Sequence, residues 1–167
     1  NDVMIPGLLG GAAEQVGAIR IGGLKFNTNV EPLWTQGGEA GFYPLRDLPK
    51  LTPQEYRAYG STALNRGILD GVTALTTYAL QVRQRTGSNP ECVLACFSDG
   101  ANNQPPDDPD AVRQVLTKLS PELFTLVFVG FETFERVDFT QVANELGFRD
   151  IMHSKLQPGE TKDQQRK

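Results

Sequence analysis

An acidic residue at the tip of an apolar segment is the first feature of this sequence that could do chemistry. The run Val93–Phe97 is apolar throughout, and Ser98-Asp99-Gly100 follows it directly. In open α/β sheets, ligand sites lie beyond the carboxyl ends of the strands, so a carboxylate placed there can serve a site. Ser, Asp and Gly are also favourable turn residues. Asp99 is therefore the first candidate functional residue, and a simple turn is the alternative.

Residues for nucleophilic catalysis are scarce. The sequence has no Gly-x-Ser-x-Gly elbow, and its single histidine, His153, has no histidine or cysteine at ligand spacing. Cys92 and Cys96 share one face of the expected strand, too far apart to bond each other, and we interpret them as small buried hydrophobes. A phosphoryl-transfer enzyme or phosphoacceptor built on Asp99 remains an alternative.

Length and composition restrict the class of protein. The chain has 167 residues, enough for one domain with a sizeable core. A net charge of -4 argues against a nucleic-acid partner, and no apolar stretch is long enough to span a membrane. The cysteine usage does not demand an oxidising compartment, so we expect a cytoplasmic protein. We expect the domain to occupy residues 1–154 and a polar, disordered tail to occupy residues 155–167.

Alternating helix and strand patterns position Asp99. The strongest helix is predicted over Ser61–Arg85, with an apolar stripe at helical spacing. The elements after it are a strand over Glu91–Phe97, a helix capped by Asp108, a strand over Leu123–Gly130, a helix capped by Asp138 and ending at Gly147, and a strand over Ile151–His153. The two long strands have almost no polar alternation, as expected when helices cover both faces. The fold class is therefore α/β, with three layers around a mostly parallel sheet.

The first third of the chain is less regular. A helix is predicted over Asp2–Val16, a strand over Ala18–Phe26, and a short edge strand over Val30–Trp34. Thr35–Leu51 is predicted to be a long loop. A capping box with proline at the first helical position, Thr52–Glu55, predicts a short helix after it.

Two motifs of this chain resemble those of von Willebrand factor type A domains. The sequence GSTAL, residues 60–64, opens the long helix, and FSDG, residues 97–100, follows the apolar strand. The segments IGGLKFN, residues 21–27, and Pro44-Leu45 precede both at plausible distances. The resemblance covers most of the chain, from about Asp2 to His153, and the two motifs are its specific part. It implies the three-layer, Rossmann-like fold of that family.

The resemblance also implies a metal-ion-dependent adhesion site. In this family a hydroxyl and a carboxylate help to hold a divalent cation, and the matching residues are Thr62 and Asp99. The expected cofactor is Mg²⁺, or else Mn²⁺ or Ca²⁺, which are hard cations that prefer oxygen ligands. The implied partner is a protein whose exposed Asp or Glu binds the cation. Ser61, Gly100, Asn102 and Asn103 are expected at the rim, where they would contact that partner.

Each of these assignments has a structural alternative. Thr62 could be a first-turn residue of its helix, with Ser61 or Gly60 as the cap. Asn102 and Asn103 could belong to a solvated polar loop.

One family motif is missing from these residues. The Asp-x-Ser-x-Ser sequence that supplies further metal ligands does not occur in this chain. By the resemblance it would end a first strand upstream of Asn1, and that strand would lie centrally, between the strands at Ile21 and Val93. An interaction module with a non-functional metal site, binding through Thr35–Leu51, is therefore the main alternative function.

Overall fold

The computed structural model describes residues 18–52, 61–98, 102–104, 108–131 and 137–154. The predicted helix over Asp2–Val16, the short helix after Thr52 and the tail after Ser154 lie outside the described residues.

Short antiparallel strand pairs form the first part of the described chain. The strands are β1 (Arg20–Ile21), β2 (Leu24–Phe26), β3 (Val30–Pro32), β4 (Thr35–Gln36), β5 (Glu39–Ala40) and β6 (Tyr43–Pro44). They pair as β1 with β6, β2 with β3, and β4 with β5. The prediction of a long loop over Thr35–Leu51 was wrong, because this segment holds β4, β5, β6 and a 3-10 helix over Leu45–Asp47.

Two glycines interrupt the strand that was predicted over Ala18–Phe26. Gly22 and Gly23 separate β1 from β2, and each lies directly against an aromatic ring. A Cβ atom would approach the ring of Phe42 to 2.9 Å at Gly22 and the ring of Trp34 to 2.9 Å at Gly23. Side chains are thus excluded at this point by packing that the local sequence does not reveal.

The second part of the chain alternates helix and parallel strand. Its elements are α1 (Leu64–Thr86), β7 (Cys92–Ser98), α2 (Pro109–Lys118), β8 (Phe124–Phe131), α3 (Phe139–Leu146) and β9 (Asp150–Ser154). The strands form one parallel sheet in the order β7-β8-β9. The three strands predicted here are confirmed, each displaced by one residue at its ends. The protein is therefore of mixed α/β class, with helices flanking a three-stranded parallel sheet.

Local signals set the ends of these helices as the sequence predicts. The Asp108 carboxylate accepts a hydrogen bond from the Ala111 amide at 3.0 Å, and the Asp138 carboxylate accepts one from the Gln141 amide at 3.1 Å. Gly87 and Gly147 end α1 and α3 in the left-handed conformation, with φ of 76° and 87°. Both positions favour glycine, which has no Cβ to strain.

All three helices contribute to one core on a single face of the sheet. Leu94 and Cys96 of β7 lie in register with Leu126 and Phe128 of β8, so these four side chains share that face. The buried members of the cluster are Leu64, Ile68, Val72, Cys96, Val112, Leu116, Leu126, Phe128, Phe139, Ala143, Leu146 and Phe148. Of the apolar stripe predicted on the long helix, Leu64, Ile68 and Val72 belong to this core.

The opposite face of the sheet is uncovered by any described element. Val93 is 62% exposed, Phe97 48% and Met152 60%. In the ranges that the structure describes, the sheet therefore has helices on one face only, and the second helical layer is not seen. No helix in these ranges has the combination of length and hydropathy that crossing a bilayer requires.

The contact between α1 and β2 predicts different effects on stability when Gly67 or Gly71 of α1 is replaced by alanine. A Cβ at Gly67 would lie 2.8 Å from Cγ of Phe26 and 2.9 Å from its Cβ, whereas a Cβ at Gly71 would meet only Leu94 at 3.4 Å and Leu24 at 3.9 Å. We expect Gly67→Ala to lower the free energy of unfolding by about 1–3 kcal/mol through overpacking. Gly71→Ala should be neutral, or raise it by up to about 1 kcal/mol through better helix propensity. Urea denaturation of both variants measures this, and equal shifts would contradict the packing described for α1.

Candidate functional site

The segment that enters α1 and the loop after β7 are hydrogen-bonded to each other. The Thr62 amide donates to Oδ1 of Asn103 at 2.5 Å, and the Asn103 amide donates to the Thr62 carbonyl at 3.0 Å. These two bonds join residues that are 41 apart in sequence. The start of the long helix and the loop beyond the apolar strand therefore meet at the carboxyl edge of the sheet.

A second asparagine strengthens the same junction. Oδ1 of Asn102 accepts a hydrogen bond from the amide of Asn65 at 3.2 Å, while its Nδ2 donates to the carbonyl of Gln104 at 2.8 Å. Asn65 is only 3% exposed and lies in the first turn of α1. First-turn amides have no partner within their own helix, so the Asn102 side chain satisfies one of them from a distant loop.

The residue at the N-cap of α1 provides no side-chain hydrogen bond, so the loop after β7 supplies the acceptor for a first-turn amide instead. The N-cap residue is Ala63, which makes no side-chain cap hydrogen bond. The Ala63 amide donates to the carbonyl of Asn27 at 2.7 Å, so the turn between β2 and β3 holds the same point from the other side. The entry into α1 is thus fixed by two separate loops, both distant in sequence.

The structure places Ser61 and Thr62 just before α1, both half-buried. The alternatives of Thr62 as a first-turn residue and Ser61 or Gly60 as the helix cap were therefore wrong, because the N-cap is Ala63. Within the described residues, neither hydroxyl forms a side-chain hydrogen bond.

The other predicted site residues divide into two groups. Asn102 and Asn103 are described, and they stabilise the junction, a role that the sequence analysis missed. The amide-rich loop, and Ala63 directly before Leu64, whose side chain cannot cap a helix, are the only sequence signals for it. Asp99 and Gly100 lie outside the described residues, and Ser98 ends β7 with 5% exposure.

The donor atoms at this edge suit a hard cation only in part. The hydroxyls of Ser61 and Thr62 are suitable ligands for Mg²⁺ or Ca²⁺. The amide oxygens of Asn102 and Asn103 already accept backbone hydrogen bonds. Across the described ranges there is no group of three or more His, Cys, Asp or Glu side chains that could hold a metal ion. The described residues at this edge thus offer neutral oxygens to a cation.

The electrostatics of α1 favour a negative charge at the same place. The first turn of α1 contains no acidic residue. The amino end of a helix carries a partial positive charge that stabilises nearby anions. A carboxylate following β7 or one brought by a partner would therefore be stabilised near the entry of α1.

The two cysteines take no part in this chemistry. Both are buried and free. Burial raises the pKa of the Cys96 thiol to about 12 and also raises the pKa of Cys92. Since the thiolate is the form that binds metals and attacks electrophiles, neither residue does so at neutral pH. Their interpretation as buried hydrophobes is confirmed.

No protein-family model matches the chain, and no curated protein has a significantly similar sequence.

The reciprocal bonds of Asn103 predict different outcomes for two substitutions. Asn103→Ala removes the acceptor for the Thr62 amide, and we expect a loss of about 0.5–1.5 kcal/mol in the free energy of unfolding, the usual net contribution of one hydrogen bond. Asn103→Asp keeps the acceptor oxygen and adds a charge that the amino end of α1 favours, so it should preserve stability. Urea denaturation measures both. Asn89→Ala, at an exposed position with no described hydrogen bond, is the control. A full loss in the aspartate variant would contradict this account.

Proposed function

We propose that this chain is a protein-binding module of the von Willebrand factor A type, which binds an acidic side chain of a partner protein through a divalent cation. Thr62 and Asp99 are its proposed ligands, and Mg²⁺, Mn²⁺ or Ca²⁺ is its proposed cofactor. The observation that supports this proposal is the reciprocal pair of hydrogen bonds between Thr62 and Asn103. Without that junction, the hydroxyl and the carboxylate would have no reason to face one site.

The short connection between Ser98 and Asn102 also supports a role for Asp99. Asp99 follows Ser98, the last residue of β7, and Asn102 comes three residues later. Consecutive Cα atoms are about 3.8 Å apart, so the Cα of Asp99 lies within about 11 Å of that of Asn102. Asn102 is in turn bonded to the first turn of α1. A carboxylate in this short connection is therefore within reach of the entry of α1.

The chain's own residues have distinct roles in the proposed site. The Thr62 hydroxyl and the Asp99 carboxylate would hold the cation, which supplies a positive charge with room for a further oxygen ligand. Ser61, Gly100, Asn102 and Asn103 would form the rim that meets the partner. Asn103 also fixes the backbone of Thr62 and Asn102 fixes that of Asn65, so they would position a ligand rather than act as ligands themselves.

The finer fold assignment belongs to the same proposal. The observed sheet with helices on one face is compatible with the three-layer arrangement of this family. We propose that a second helical layer completes it. Gly71 adds support: β2 and β7 belong to separate sheets, yet Leu24 and Leu94 both lie beside this residue of α1. The two strands thus pack on one helix without pairing, as expected if a further strand lies between them.

Metal-dependent peptide binding is the direct test of the proposed function. The 167-residue chain is titrated calorimetrically with Mn²⁺ and Mg²⁺, and then with a short capped peptide containing one glutamate. We expect heat from the metal, and peptide binding that disappears with EDTA or when glutamine replaces the glutamate. Absence of metal binding would reject the proposal.

A cleft at the other end of α1 favours a second candidate function, metal-independent binding through the segment Thr35–Leu51. This cleft has a volume of about 440 Å³ and is lined by Arg20, Gln36, Glu39, Ala40, Phe42, Tyr78, Gln81 and Arg85. The rings of Phe42 and Tyr78 stack at 4.3 Å and form part of its wall. Peptide binding that persists in EDTA and is lost in Arg85→Ala, but not in Arg83→Ala, would favour this candidate.

A further inference from the structure

The cleft at the last turns of α1 is lined by charged side chains of both signs. Arg20 and Arg85 contribute two guanidinium groups, and Glu39 contributes a carboxylate. Among the residues that the structure describes, no side chain forms an ion pair with Glu39 or Arg85. Within the same ranges Arg85 donates only from its Nε, to the carbonyl of Gln81 at 3.1 Å. The opposite charges of the lining therefore do not neutralise each other by direct contact.

The polar side chains of the lining converge from two elements. Gln36 and Glu39 are direct partners in the β4–β5 pair, so their side chains lie on the same face of this hairpin. Tyr78, Gln81 and Arg85 are three and four residues apart on α1, so they share one face of the helix. Both faces line the same cleft. A ligand held there would thus contact the hairpin on one side and the helix on the other.

Two stacked aromatic rings provide the apolar part of the wall. The planes of the Phe42 and Tyr78 rings are 12° from parallel, and both residues are half-buried. This stack connects α1 to the segment after β5, so it holds the two sides of the cleft together. The volume of about 440 Å³ lies within the range of small-molecule sites, about 300–1,000 Å³. The cleft therefore has room for a small ligand with an apolar body.

The signs of the charges select the class of ligand. A purely anionic ligand would lie beside the carboxylate of Glu39, and a purely cationic one would lie beside the guanidinium groups of Arg20 and Arg85. Both arrangements bring like charges together. A zwitterion has a partner for each sign, because its carboxylate can accept two parallel hydrogen bonds from a guanidinium and its ammonium can donate to a carboxylate. The lining therefore favours a ligand that carries both charges on a small body.

We propose that this cleft binds a free α-amino acid with an aromatic or large apolar side chain. Arg85 binds its carboxylate, Glu39 binds its ammonium group, and its side chain packs against the rings of Phe42 and Tyr78. The proposal rests on the second candidate function for the place of binding, to which it adds the chemical class of the ligand. It does not depend on the proposed metal site at the other end of α1.

An NMR titration of the full chain with three related ligands tests the proposal. The ligands are L-phenylalanine, N-acetyl-L-phenylalanine, which lacks the ammonium group, and L-phenylalaninamide, which lacks the carboxylate. The titrations are run in EDTA at about pH 6, below the α-amino pKa of about 7.7, so that the amino groups are charged. We expect phenylalanine to shift the backbone amide signals of Ala40, Gln81 and Arg85. It should bind at least about fivefold more tightly than either analogue, because each analogue loses one exposed ion pair.

Two substitutions assign the charges to named residues. Arg85→Gln should weaken phenylalanine binding at least about fivefold and leave phenylalaninamide unchanged, since the amide has no carboxylate. Glu39→Gln should weaken phenylalanine binding by a similar factor and strengthen that of N-acetylphenylalanine, because it removes a like charge. Arg83→Gln and Glu91→Gln change the same charges at exposed positions outside the lining, and they should leave all three affinities unchanged. The three-ligand comparison uses the unaltered chain, so it decides even where a variant fails to fold.

The outcomes separate this proposal from the second candidate function. Equal affinities for the three ligands, signals that shift only outside the cleft, or absence of phenylalanine binding would each overturn the amino-acid assignment. If the glutamate peptide still binds in EDTA in any of these cases, and is lost in Arg85→Ala, the second candidate function stands without this ligand. Phenylalanine binding with the expected pattern, and no peptide binding, would support the proposal and reject a peptide as the occupant.

Discussion

Phe128→Ala is expected to lower the free energy of unfolding by about 3–5 kcal/mol, the range for truncating a fully buried aromatic side chain. Phe128 is 0% exposed and lies in β8, the central strand of the parallel sheet. Its ring packs 5.3 Å from that of Phe148, edge to face, and 6.5 Å from that of Phe139. Because a domain of this size is stabilised by only about 5–15 kcal/mol, this loss is a large fraction of the total. Urea denaturation followed by circular dichroism measures it.

A matched control on the same strand separates packing from strand propensity. Thr125→Ala changes an exposed residue of β8, and we expect an effect within about 0.5 kcal/mol. A loss below about 1 kcal/mol in Phe128→Ala would mean that the α2 and α3 side of the sheet does not hold the core. Equal losses in the two variants would assign the effect to the strand itself.

The elements that the sequence predicted well are those set by local patterns. The stripe of Leu64, Ile68 and Val72 defined α1, because one helical face must be apolar to pack on a sheet. Asp108 and Asp138 marked the starts of α2 and α3, because an N-cap acts on amides only a few residues away. Such signals need no knowledge of distant residues.

The elements that were mispredicted depend on contacts between distant residues. The strands β4, β5 and β6 are each two residues long, too short for an alternating pattern to be read. The indole of Trp34 donates to the carbonyl of Pro49 at 2.9 Å, and the Tyr43 hydroxyl donates to the Thr35 carbonyl at 2.6 Å. These bonds hold the segment that was predicted to be a loop, and they are invisible in any short window of sequence.

The candidate site depends both on local sequence patterns and on contacts between distant residues. The motifs correctly placed Thr62 near the start of a helix and Ser98 at the end of a strand. They did not reveal that Asn102 caps the first turn of that helix or that Asn103 binds the residue before its N-cap, because these bonds join positions 37 and 41 residues apart. The part played by Asp99 stays a prediction, since this residue is outside the described ranges.

Substitution of the two proposed ligands is the second prediction with a large expected effect. We expect Asp99→Asn to weaken Mn²⁺ binding at least tenfold, because it removes the charge that balances the cation; even outer-sphere partners of metals contribute about 10–100-fold in affinity. Thr62→Ala should weaken binding similarly, whereas Thr62→Ser keeps the hydroxyl and should bind nearly as well as the unaltered chain. Calorimetric titration of the three variants with Mn²⁺ measures these affinities.

Two controls make the result specific to the site. Asp110→Asn removes an equal charge from an exposed position on α2, where Asp110 forms only a long 3.7 Å ion pair with Arg113, and it should leave Mn²⁺ affinity unchanged. Asn103→Asp keeps the bond that positions Thr62, so it should bind the metal more tightly than Asn103→Ala. A metal affinity that falls equally in Asp99→Asn and Asp110→Asn would reflect net charge alone. That result would contradict the assignment of Thr62 and Asp99 as ligands.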